Sequence, residues 1–112
     1  MSGTLGELLN VLQSIGSLAV EGRARFDSDP RQRWSIERLW IFAGNLAERH
    51  CREAGLDEGM EPWSELVATR NVYAHYTPAS INYERIWFDT TTDIERIIVA
   101  VTSHPEPAPG TL

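Results

Sequence analysis

The chain has 112 residues, 42% of them hydrophobic, with a formal net charge of −6 and one cysteine, Cys51. That length suits a single domain with one core. One cysteine rules out an intrachain disulfide and a cysteine-cluster metal site, and no apolar run approaches the ~18 residues of a membrane span. Positions 1–4 carry neither the basic region nor the apolar stretch of a signal peptide, so a soluble, cytoplasmic protein with no membrane partner is expected. The acidic balance argues against broad nucleic-acid binding through a basic surface. All ten basic residues are arginine, a bias read as codon usage. Arg23, Arg25, Arg31, Arg33 and Arg38 nevertheless fall within sixteen residues, which leaves a local phosphate-binding face open.

In chain order, Thr4-Leu5-Gly6-Glu7 has capping-box spacing. Leu5, Leu8, Leu12, Ile15 and Ala19 follow at three- and four-residue steps, which predicts a first helix fading near Gly22 to Phe26. Asp29-Pro30 is a second start signal, a capping side chain followed by a proline suited to the first turn. Trp34, Ile36, Leu39, Trp40, Ala43, Leu46, Ala47 and His50 then form a broad apolar band, and Gly55 supplies the stop. A band this wide predicts two buried sides, one in the chain's own core and one against a second copy. Arg38, Asn45, Arg49 and Arg52 form a polar strip beside it.

Leu56 to Glu61 reads as a short acidic loop. Pro62 starts a third helix through Trp63, Leu66, Val67 and Arg70/Asn71, which Pro78 must end, since a residue preceding proline avoids the helical region. Asn82 caps a fourth helix, predicted from Tyr83 to about Val101 and interrupted by the weaker helix formers Thr90 to Thr92. No segment alternates as a strand would. The expectation is an all-α, antiparallel four-helix bundle over residues 1–102, forming a two-fold dimer, with a disordered proline-rich tail over 103–112.

Chemistry concentrates in Arg70-Asn71-Val72-Tyr73-Ala74-His75-Tyr76. A guanidinium that binds phosphate and an imidazole that titrates near neutrality are what phosphodiester cleavage without a metal requires. In an ideal helix five residues turn the chain by about 500°, leaving Arg70 and His75 about 140° apart, whereas Asn71 and His75 share a face. Convergence therefore needs a distorted last turn, a second chain, or both. The same spacing also fits a purely structural arginine capped by a carboxylate, with a histidine at a helix C-terminus where the dipole favours its cation. Other candidates are weaker. His50 and Cys51 are adjacent and cannot chelate one ion, His104 lies in the tail, and the histidines and cysteine make no zinc pattern. No metal or cofactor is expected.

Together with Pro62-Trp63-x-Glu65-Leu66-Val67, the segment Arg70-Asn71-x-x-x-His75 and the later Asn82-Tyr83-Glu84-Arg85-Ile86-Trp87 resemble the HepT-like branch of the HEPN superfamily. Arg25-Phe26-x-x-Asp29 and Ile36-Glu37-Arg38-Leu39-x-Ile41-x-x-Gly44-Asn45 resemble that family's second-helix pattern, so the resemblance spans roughly residues 5 to 102. It implies an all-helical dimer that is the toxin of a toxin–antitoxin pair, partnered by an MNT-type nucleotidyltransferase. It also implies metal-independent endoribonuclease activity on RNA, with Arg70 and His75 catalytic and Asn71 orienting the phosphate or the imidazole. Two departures stand out. The family's glutamate on the second helix is Asn45 here, which makes Asn45 the candidate support. The tyrosine that the antitoxin modifies with AMP is shifted by one residue, to Tyr76. The competing expectation is a non-catalytic nucleotide-binding or adaptor module that docks a nucleotidyltransferase.

Overall fold

A computed structural model describes residues 3–77 and 79–103, all in helices and their connections, with no strand among them. Pro78 and most of the expected tail, from position 104 onward, lie outside the described residues. Helix α1 (Gly3–Ala19) buries Leu5, Leu8, Leu12 and Ile15 of the stripe its sequence predicts, together with Leu9, while Ala19 at its end is half-buried. Thr4 does not act as the cap, because the helix already includes Gly3 and the Thr4 hydroxyl donates instead to Glu53 at 2.6 Å.

The first helix does not fade at 22–26. It stops at Ala19, and the chain turns through Gly22, whose φ of 93° is open to glycine and strained for other residues. A separate short helix α2 (Arg23–Ser28) follows. Its one buried side chain, Phe26, packs against Trp87 at 5.0 Å between ring centroids.

Helix α3 (Pro30–Ala54) begins as its sequence dictates. The Asp29 carboxylate accepts the Arg31 backbone N–H at 3.0 Å, and Pro30 needs no partner in the first turn. It ends at Gly55 in the left-handed conformation (φ 70°), where the Leu56 N–H returns to the Cys51 carbonyl at 2.9 Å. Its wide apolar band has a cause inside the chain, because α3 is flanked on one side by α1 and on the other by helix α4 (Trp63–Ala74). The two buried sides are therefore both covered by the chain's own helices. What stays outside is a stripe containing Trp34 and Phe42.

Side-chain pairs give the directions. Thr4 meets Glu53 and the Gln32 amide meets the Leu18 carbonyl, so α1 and α3 run antiparallel. His50 lies beside Trp63 and Trp40 beside Tyr73, so α3 and α4 do likewise. The last helical stretch is continuous but not uniform: α5 (Tyr83–Phe88), a π-helical segment (Asp89–Asp93) and α6 (Ile94–Ser103). The widened turn falls on Thr90–Thr92, where helix propensity is weakest, and it turns Thr90 fully inward to accept the Trp40 indole N–H at 3.1 Å. Asn82 caps α5 by accepting the Arg85 N–H at 3.0 Å. None of the helices among the described residues is long and apolar enough to cross a membrane.

Candidate functional site

The candidate site sits where α4 crosses α3, and a glycine makes the crossing close. A Cβ built on Gly44 would lie 2.3 Å from the Arg70 Cβ and 2.7 Å from the Leu66 carbonyl oxygen, so only glycine admits α4 at this depth. The approach sets Arg70 against the outer edge of α3. Its Nη1 donates to the Asn45 Oδ1 and to the Glu48 carboxylate, each at 3.2 Å, and its Nε and Nη2 donate to the Asn71 Oδ1 at 3.1 and 3.0 Å. The Arg70 side chain keeps only 18% of its surface in solvent. A guanidinium has five N–H groups. Four are engaged here, and one on Nη2 is left to meet a ligand.

His75 stands at the end of α4, and the turn there is distorted. The His75 and Tyr76 N–H groups reach back only three residues, to the Val72 and Tyr73 carbonyls, both at 3.2 Å. This tightened turn folds the imidazole onto its own helix, with Nδ1 2.6 Å from the Asn71 carbonyl oxygen. A carbonyl can only accept, so Nδ1 carries the proton. In neutral imidazole Nε2 then holds the lone pair. His75 as a whole is exposed.

Asn71 is thus the hinge of the arrangement. Its amide oxygen holds the Arg70 guanidinium, and its main-chain carbonyl holds the His75 ring. Arg70 and His75 are linked only through Asn71, one to its side chain and the other to its main chain, and among the described residues no hydrogen bond joins the two directly. Asn45 lies where its position on α3 suggests, on the guanidinium. Glu48, which sequence reading passed over, supplies the carboxylate one turn further along. Its spacing of three from Asn45 on the same helix face was the available signal.

Tyr76 belongs to a different group. Its ring stacks on Tyr73 (5.4 Å, 22°) and is half-buried against the core, and that burial pushes its hydroxyl above the usual tyrosine range. Tyr73 in turn donates its hydroxyl to Asp89, which also lies 3.5 Å from Arg85. Burial and the neighbouring carboxylate hold the proton on Tyr73, and burial raises the Asp89 carboxyl. A cleft of about 220 Å³ beside this cluster carries the carboxyl groups of Glu65, Asp89 and Asp93 and the guanidinium groups of Arg85 and Arg96, with Arg96 2.8 Å from Glu65 and 3.5 Å from Asp93. Cys51 is buried and its thiol is pushed up to about 11, chiefly by desolvation, so it is no nucleophile at neutral pH.

The arginine cluster seen in the sequence is divided by the fold. Arg23 pairs with Asp27 and Glu84, Arg25 with Glu21 and Asp29, and Arg33 donates to the Phe26 and Asp27 carbonyls at the end of α2. Arg31 and Arg38 make no carboxylate pair among the described residues, and both face outward on α3. Along the polar strip, Arg49 pairs with Glu53, and Arg38 lies over the Phe42 ring. No group of three His, Cys, Asp or Glu side chains among the described residues is arranged to hold a metal ion. No protein-family model, curated protein or solved structure matches the chain.

Proposed function

We propose that this chain is a HEPN-type four-helix bundle, with α5, the π-helical segment and α6 counting as its fourth helix. In this reading it forms a two-fold homodimer and cleaves RNA as a metal-independent endoribonuclease. It is the cytoplasmic toxin of a pair whose antitoxin is an MNT-type nucleotidyltransferase. The supporting observation is the arrangement around Asn71, whose side chain holds the Arg70 guanidinium and whose main-chain carbonyl holds the ring of the exposed His75.

In the proposed reaction His75 Nε2 takes the proton of a ribose 2′-hydroxyl, and the freed oxygen attacks the adjacent phosphorus. The remaining Arg70 N–H stabilises charge on the phosphoryl oxygens. The bond to the 5′-oxygen breaks, and that oxygen takes a proton from the imidazolium of the second copy. The products are a 2′,3′-cyclic phosphate and a 5′-hydroxyl end. Asn71 and Asn45 orient Arg70 and touch no reacting atom.

The test is incubation of RNA with the purified protein in excess EDTA. Wild type cleaves, His75→Ala is slower by about 10²–10⁴-fold, and Arg70→Ala by about 10²–10³-fold. Equal cleavage by wild type and His75→Ala would sink the assignment.

One observation favours a second reading. Four of the five Arg70 N–H groups are already satisfied within the chain, as in a module that docks a nucleotidyltransferase or binds nucleotide without turning it over. A harmless wild-type protein that still binds such a partner identifies that role.

A further inference from the structure

The outward stripe of α3 carries more than its fold needs. Trp34 and Phe42 leave 61% and 45% of their surfaces in water, although the core has room for other tryptophans, with Trp40 and Trp63 fully buried. Arg31, Trp34, Arg38, Phe42 and Asn45 recur at three- and four-residue steps and so share one face. Among the described residues Arg31, Arg33 and Arg38 of the arginine cluster have no carboxylate partner; Arg33 is held by the Phe26 and Asp27 carbonyls, which leaves Arg31 and Arg38 facing outward in a chain whose net charge is −6.

Two concavities open along this stripe. One, of about 480 Å³, is walled by Arg31, Trp34, Arg38 and Leu39. The other, of about 360 Å³, lies between α1 and α3 beside Phe42 and is edged by Glu7, Asn10 and Asn45. The stripe ends on the asparagine that holds Arg70.

We propose that this face is a docking track for single-stranded RNA that feeds the Arg70/His75 site. The assignment rests on the ribonuclease reading for its purpose but not for its geometry. Exposed aromatic faces stack bases without regard to sequence, and arginines without a carboxylate partner contact the backbone; Arg38 rests 5.8 Å over the Phe42 ring, so a base stacks on Phe42 only as that guanidinium swings out to a phosphate. Trp34 and Phe42 are about 12 Å apart along the helix, the length of three to four stacked bases. The groove beside Phe42 offers two amides and a carboxylate, the groups that hydrogen-bond the edge of a splayed base. A duplex would not expose its base faces to Trp34, so the track selects single strands.

The experiment measures binding of a fluorescently labelled single-stranded RNA dodecamer to full-length protein carrying His75→Ala, so that cleavage does not intervene. Adding Trp34→Ala or Phe42→Ala is expected to weaken binding by about tenfold or more, with Trp34→Phe restoring much of it. Arg31→Ala and Arg38→Ala should each lower the slope of log affinity against log salt by about one. Both aromatics are exposed, so thermal melting should be unchanged. No binding, or binding unaltered by these substitutions, overturns the track. So does a change in oligomeric state in the Trp34 or Phe42 variants, which would assign the face to a second copy of the chain. RNA that binds through this face but is never cut by wild type leaves the track standing and removes the nuclease. Cleavage with binding indifferent to Trp34 and Phe42 does the reverse.

Discussion

Asn71 does two jobs with two different atoms, and they can be separated. Its side-chain oxygen orients Arg70, and its main-chain oxygen fixes the His75 tautomer. Asn71→Ala removes only the first. The expected result is a fall in RNA cleavage of about 10–100-fold, the scale of losing hydrogen bonds to a charged group, with the shape of the pH–rate profile unchanged. A changed profile would mean that the side chain acts on His75 instead. Arg70, Asn71 and His75 were legible in the sequence because they lie within one turn and a half of one helix. Glu48 was not, because its partner is 22 residues away and the pairing exists only once α3 and α4 cross. Tyr76 was legible in the sequence as a tyrosine next to His75. Its stacking on Tyr73 depends on the tightened turn, which no spacing rule predicts.

At the scale of elements, the crossing of α3 and α4 depends on one missing methyl group. In an exposed helix interior, glycine is less favourable than alanine by about 1 kcal/mol, so Gly44→Ala would stabilise an isolated α3. Here the added Cβ meets the Arg70 Cβ and the Leu66 carbonyl, neither of which can swing aside. The expected outcome is a loss of about 1–3 kcal/mol in denaturant unfolding, together with loss of cleavage as Arg70 is displaced. A more stable Gly44→Ala protein would show that the close approach is not a restraint. The π-helical segment is a comparable case. Three threonines marked a weak stretch in the sequence, and the widened turn formed there sets Thr90 against the buried Trp40 indole, whose N–H it accepts. The break between α1 and α2 has a local cause as well: Gly22 takes a backbone conformation that ends α1 and lets Phe26 turn back into the core.

At the scale of the whole molecule, the proposed reaction needs one imidazole as base and another as acid, which two copies supply. Mixing wild type with increasing amounts of a His75→Ala chain should therefore lower cleavage as the square of the wild-type fraction. A linear decline would mean that each chain cleaves alone, and sedimentation at the same concentrations should show two-chain particles. What the sequence determined by itself is the local order: helix starts at Asp29 and Asn82, the stop at Gly55, the inward stripe of α1, and the placing of Arg70 and His75 at one helix end. Those features follow from spacing, capping and backbone conformation, which act over a few residues. Only the tertiary structure decided that both apolar sides of α3 are covered by α1 and α4, that Glu48 and Asn45 close on Arg70, and that the arginine cluster divides into paired members and the outward pair Arg31 and Arg38. These are contacts between residues far apart in the chain, and they arise when helices cross at a depth set by the side chains between them, above all by the absence of one at Gly44.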